Sequence, residues 1–155
     1  MREWVGLLAR LATGAVWIGA GIAKLGDSYQ SVQAVRAYEL LPGGLVEPVG
    51  YLLPVLEVVV GAALVAGLLT RGAAVLSALL SVAFVVGISS AWARGLEIDC
   101  GCFGGGGYDP GAAAHYPWEI ARDTALLLAS LFLVRWPRTR LALDPVLFRV
   151  PTPVG

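Results

Sequence analysis

Cys100 and Cys102 stand one residue apart in the run Asp99-Cys100-Gly101-Cys102-Phe103-Gly104, and they are the two cysteines of a 155-residue chain. Thiols at this spacing can exchange protons and electrons as a unit. On an extended backbone, residues two apart lie within the separation that a disulfide tolerates. Gly101 relaxes the backbone restrictions on closing so small a ring. A ring of this size is strained, and strained disulfides are the oxidising, labile and catalytic ones. Closing it removes little chain entropy compared with closing a long loop, so stapling is a weak reason to have the pair. Gly104 to Gly107 extend the segment into what reads as a flexible loop, open to a partner's thiol.

Four readings of the pair compete: unpaired structural cysteines, half of a metal site, a static disulfide, and redox exchange. Structural zinc takes four ligands, and His115, the one histidine, adds at most a third. No metal is therefore expected. Redox exchange is favoured, with Cys100 and Cys102 as the catalytic residues. Membrane thiol oxidoreductases that work alone pass electrons between two cysteine pairs, and this chain has one. Either the pair reacts directly with a membrane electron carrier such as a quinone, or a second protein supplies the other dithiol. No thioredoxin-type C-x-x-C is present, so a partner is favoured.

The elements that must hold this pair are built for lipid. Hydrophobic residues make up 57% of the chain and charged residues 14%, against roughly 25% charged in soluble domains. The net charge is zero and no nucleic-acid motif appears, so nucleic acid is not an expected partner. Three stretches approach the roughly 20 apolar residues needed to cross a bilayer, at about 5–23, 49–69 and 73–92. A fourth, about 120–136, is weaker because Arg122 and Asp123 lie near its start, and it spans only if those charges sit at the interface. The first stretch is long for a cleaved signal, and no A-x-A site follows it. Trp4, Trp92, Trp118 and Trp136 fall near the expected ends, as interfacial aromatics do.

The fold expected is therefore an all-α, integral membrane four-helix bundle over residues 1–136. It carries the C-x-C loop between spans three and four and an irregular tail over 137–155. With four spans, Arg2, Arg71, Arg135, Arg138, Arg140 and Arg149 share one face, against Lys24, Arg36, Arg94 and Arg122 on the other. Excess positive charge marks the cytoplasmic side, which puts both termini in the cytoplasm and the cysteines outside. Between the first two spans, Val32, Val35, Tyr38 and Leu41 recur at helical spacing, predicting a short amphipathic helix on the outer surface.

Two charges fall at membrane depth, where an ionisable group is a functional hypothesis by default. Glu57 lies eight residues into the second span, about 12 Å below its outer edge. Lys24 ends the first span, and its side chain tilts back toward the helix N-terminus, so a Lys24–Glu57 pair is expected. That pair either holds helix register, or Glu57 relays protons or binds a carrier headgroup beneath the cysteine loop. Arg10 is expected to reach toward the cytoplasmic interface instead.

An Arg-bearing first span ends in Gly21-x-x-Lys24. Tyr38-Glu39-Leu40-Leu41-Pro42, a Pro54-x-x-Glu57 span and Cys100-Gly101-Cys102-Phe103-Gly104 follow. From about Leu7 to Val134 this resembles the methylamine-utilisation MauE family, within the DoxX-like group of small four-helix membrane proteins. The resemblance implies a multi-pass protein of the bacterial cytoplasmic membrane. It also implies a role in maturing exported, disulfide-containing proteins such as the small subunit of methylamine dehydrogenase, beside a thioredoxin-like protein. Cys100 and Cys102 would be the redox pair, with Lys24 and Glu57 at charged positions of the pattern. A non-enzymatic anchoring or assembly subunit, and a quinone-linked DoxX-like oxidoreductase subunit, are the alternatives.

Overall fold

Four helices of 24 residues carry the chain back and forth: α1 (Arg2–Leu25), α3 (Gly43–Ala66), α4 (Thr70–Ala93) and α5 (Ala112–Arg135). A short α2 (Ser28–Ala37) joins the first two, and a two-stranded hairpin, β1 (Ile98–Asp99) with β2 (Gly107–Tyr108), precedes α5. One turn of helix, α6 (Asp144–Leu147), follows. These elements come from a computed structural model that describes residues 1–148. Arg149, counted above on one face, and the rest of the expected tail over 149–155 lie outside the described residues.

Three of the long helices, α1, α3 and α4, are long and apolar enough to cross a membrane. Helix α5 equals them in length, but Glu119, Arg122 and Asp123 dilute its first half. It begins at Ala112, well before the expected 120. Asp123 therefore lies eleven residues in, about 16 Å along the axis, rather than at an end. It points into the bundle and is buried. The second span also starts earlier than expected, at Gly43 in place of about 49, and ends at Ala66. Gly67, in the left-handed conformation that commonly closes helices, stops it there.

Helices α1 and α3 pack antiparallel through glycine. A methyl group at Gly14 would sit 2.8 Å from the Gly61 carbonyl oxygen, and one at Gly61 would sit 2.7 Å from that of Gly14. Only a residue without Cβ lets the two backbones touch, as small residues do in membrane bundles. Across the other half, the Trp17 indole donates to Ser77 Oγ at 2.7 Å. Ser77 is in turn 2.7 Å from Ser130 Oγ, which tethers α1 to α4 and α5. The core around this chain is Trp17, Val60, Leu64, Ala74, Leu80 and Leu133.

Helix α2 was expected on the outer surface with Val32, Val35, Tyr38 and Leu41 on one face. The helix is there, with Val32 buried and Val35 and Tyr38 half-buried, but Ser31 and Ala34 are buried as well, so it is built into the bundle, and Leu41 lies beyond it, exposed. The reason lies in α3. Pro54 has no N–H, so the Gly50 carbonyl four residues earlier loses its helical donor. Ser31 Oγ donates to that carbonyl at 2.7 Å, in a buried hydrogen bond, and Val32 lies on Gly50.

At the opposite end, residues 137–148 close over the helix termini. The Asp144 carboxylate accepts from the N–H groups of Leu69 and Thr70, capping the start of α4. Arg10, 1% exposed, donates to Thr139 Oγ1 at 2.8 Å and to the Leu141 carbonyl at 3.2 Å. It thus reaches toward the end of the bundle where α1 begins and α5 ends.

Candidate functional site

Cys100 and Cys102 are paired, with Cα atoms 5.3 Å apart, at the end of the bundle where α2 and the hairpin meet. The hairpin aligns Ile98 with Tyr108 and Asp99 with Gly107, so the cysteines lie in the loop it encloses. Tyr116 on α5 anchors the base of the loop: its hydroxyl is 2.5 Å from the Leu96 carbonyl and 3.1 Å from that of Ile98. The Gly101 N–H donates to Asp99 Oδ1 at 3.0 Å, and the Cys102 N–H donates to Cys100 Sγ at 3.1 Å. The Tyr38 hydroxyl donates to the Cys100 carbonyl at 3.1 Å. Burial pushes the Tyr38 phenol above its ordinary pKa, so it stays protonated and available as that donor.

The glycines here do more than loosen the backbone. Gly101 and Gly106 have φ of +66° and +116°, and a methyl group at either would sit 2.5 Å from Ala34 Cβ. The Gly105 N–H donates to Gln30 Oε1 at 3.0 Å. The loop, expected to be open, is pressed against α2. As a result the cysteines are only 6% and 5% exposed, packed with Ile88, Ala91, Ile98, Ala112 and Tyr116. Phe103, beside them, is 48% exposed, and the Arg122 guanidinium lies 5.1 Å from its ring centroid.

Beneath the loop, Lys24 Nζ and Glu57 Oε1 are 2.6 Å apart, with exposures of 4% and 0%. The α1–α3 glycine contact sets this register. Lys24 lies ten residues after Gly14 and Glu57 four before Gly61, on facing sides of two touching helices. Glu57 is fourteen residues into α3, about 21 Å from its start, because the first turns of α3 rise beside α2. The ammonium also sits 4.9 Å from the Phe84 ring centroid. Asp123 pairs with its neighbour Arg122 at 3.1 Å. Glu57 Oε2 and Asp123 Oδ2 have no hydrogen-bond partner among the described residues. Both residues line a small space of about 10 Å³ together with Cys102 and Phe103, room for about one water.

A larger cavity of about 220 Å³ lies between α2, α3 and α4. Its wall is apolar apart from Lys24, Ser31, Tyr38 and the loop at Cys100 and Gly101. Phe84 lines both spaces, with Cys100 on one and Cys102 on the other. The structure thus brings all four expected residues, Cys100, Cys102, Lys24 and Glu57, to one end and the adjoining interior of the bundle. Phe84 joins them without having been singled out, and so do Tyr38, named above only on a helical face and in a motif, and Asp123. Asp123 was visible only as a charge that weakened a span. Asp99, Cys100 and Glu119 offer ligand atoms within 4.8 Å of one another, and the sulfur among them is the one bonded to Cys102.

The model of the family described as methylamine utilisation protein MauE matches residues 2–135. The chain belongs to the MauE family. Methylamine utilization protein MauE of Methylophilus methylotrophus is 38% identical over 99 residues, which cover 63% of this chain and 52% of that protein. The MauE-family chain therefore spans about half the length of the curated relative it matches. No solved structure matches it. A MauE-family assignment together with three apolar 24-residue helices makes this a membrane protein.

Proposed function

We propose that this MauE-family protein is a four-span membrane thiol–disulfide exchange component serving exported proteins, with the Cys100–Cys102 pair as its redox centre. The observation that carries the reading is the pair itself. Two cysteines separated by one glycine are bonded in a loop held by Tyr38, Tyr116 and α2. So small a ring adds little entropy-based stability. Its construction suits chemistry better than stapling.

A thiolate of an extracytoplasmic, thioredoxin-like partner attacks one sulfur of the pair, forming a mixed disulfide and releasing the other sulfur as thiolate. The partner's second thiolate then attacks its own bonded sulfur. The partner leaves oxidised, and Cys100 and Cys102 leave reduced with two electrons and two protons gained. Because both sulfurs are buried, the loop must lift from α2 for attack, and Phe103 is the exposed side chain that marks where a partner first touches. The client is an exported disulfide protein, of the methylamine dehydrogenase type where that pathway is present.

Topology follows from charge and packing. Helix α5 packs along α4 and returns the chain to Gly6 of α1, beside Phe132 and Thr139, which supports a fourth crossing. The end holding Arg2, Arg71, Arg135, Arg138 and Arg140 is cytoplasmic by the positive-inside bias, and the cysteine loop is outside. The near-complete burial of both cysteines favours a competing reading, a non-enzymatic anchoring or assembly subunit whose disulfide is structural. Trapping separates the two. In native membranes, Cys100→Ala or Cys102→Ala should accumulate a covalent adduct with a thioredoxin-like protein. No adduct from either variant, with exported disulfide proteins maturing normally, would leave the anchoring role.

A further inference from the structure

Electrons delivered to Cys100 and Cys102 must leave again, and the chain holds no other cysteine to receive them. We propose that the cavity between α2, α3 and α4 binds the headgroup of a lipid-soluble carrier of the quinone class, which reoxidises the pair through Cys100. The inference rests on the thiol-exchange reading above. Its own support is the composition and placement of the cavity. At about 220 Å³ it suits a single ring system rather than a whole carrier, being smaller than the roughly 300–1,000 Å³ of pockets that bury drug-sized ligands. Its lining is aliphatic and aromatic, with Leu53, Leu80 and Phe84, which favours a solute that partitions from lipid over one from water. Leu40, Leu41 and Ala83 line it and are exposed. Ala83 lies on a membrane-crossing helix, so that opening faces the bilayer laterally, where an isoprenoid tail would trail.

Two groups in this apolar wall are chemically matched to a quinone. Cys100 lines the cavity as the redox-active residue. Lys24 also lines it, and an ammonium has three N–H donors, of which one hydrogen bond, to Glu57, is made among the described residues. A remaining N–H can hold a quinone carbonyl oxygen and stabilise the charge that develops on it as electrons arrive. The reaction balances without a further reagent. The S–H bonds of Cys100 and Cys102 break and one S–S bond forms; the quinone takes both electrons, and its two oxygens take two protons to give the quinol.

The test uses the full chain reconstituted in phosphatidylethanolamine/phosphatidylglycerol vesicles, with a short-tailed benzoquinone and its azido photoprobe. Ala83→Trp blocks the lateral opening without touching the cysteines, Lys24 or Glu57, and Leu53→Trp fills the cavity from α3 should the first variant fold poorly. The reduced native protein is expected to form one disulfide per quinol produced, with the photoprobe attached to α3 and α4 around Leu53 and Phe84. Ala83→Trp should lower both labelling and oxidation rate at least tenfold. Equal oxidation rates in native and blocked proteins would overturn the inference. So would labelling confined to the outer lipid-facing surface, or a phospholipid chain that the quinone does not displace. Trapped partner adducts with no quinone oxidation would refute this site alone; quinone oxidation without any partner adduct would refute the exchange partner alone.

Discussion

Replacing Lys24 by Met strands a Glu57 carboxylate that is 0% exposed and already has one oxygen without a partner. Replacing Glu57 by Leu strands the ammonium in the same way. Breaking a buried pair from one side costs about 3–5 kcal/mol. The lower end, about 3 kcal/mol, is expected here because the stranded group can neutralise by taking up or losing a proton. The double variant Lys24→Met/Glu57→Leu removes both charges and fills the space with apolar atoms, so it should lose less than either single change. Independent sites would instead add to about 6 kcal/mol. The assay is reversible unfolding in mixed micelles of rising dodecyl sulfate fraction, followed by helical circular dichroism. Additive losses would refute the pairing as the source of the energy. The same double variant also separates register from chemistry. If it folds, still forms the partner adduct and reoxidises Cys100–Cys102 at the native rate, the pair only holds α1 against α3. If reoxidation alone fails, the ammonium acts in it.

Three further outcomes follow from specific contacts. Ser31→Ala leaves the Gly50 carbonyl without a donor and should cost about 1–3 kcal/mol. In a Pro54→Ala background the restored N–H takes over and the cost should fall below about 1 kcal/mol, whereas equal costs in both backgrounds would contradict the account of α2 docking. Gly101→Ala places Cβ against Ala34 at a φ of +66°, a backbone penalty of about 1–3 kcal/mol. The loop should lift and dithiothreitol should reduce the pair faster, partly reversed by adding Ala34→Gly; an unchanged reduction rate would show that the loop is not held by that contact. Glu57→Gln should impair folded yield and activity more than Arg10→Gln, because Glu57 is the buried counter-charge of Lys24 while Arg10 is held by neutral acceptors, Thr139 Oγ1 and the Leu141 carbonyl. Equal losses in the two variants would contradict that ranking.

Much of the architecture is legible along the chain because the relevant signals are local. Apolar runs mark α1, α3 and α4, and a charge in each of the first two spans leads to Lys24–Glu57 once helical rise and side-chain tilt are applied. The fourth helix is less legible. Arg122 and Asp123 look like an interfacial border when read by hydropathy, but Asp123 is turned inward by packing that hydropathy does not encode. The state of the cysteine loop is also a tertiary result. A run of glycines reads as freedom until Ala34 is known to lie against it, and only then does each positive φ become a fitted contact. The docking of α2 depends on Pro54 and Ser31, residues far apart in sequence that meet through one missing N–H.

The most direct measurement is the redox state of Cys100 and Cys102 in intact cells. Cells are treated with a reductant that does not cross membranes, quenched in acid, denatured, and alkylated with a mass-adding maleimide. Oxidised cysteines before treatment and two added tags afterwards are expected. Two tags without reductant, or none until the membrane is inverted, would contradict a redox pair on the outer face.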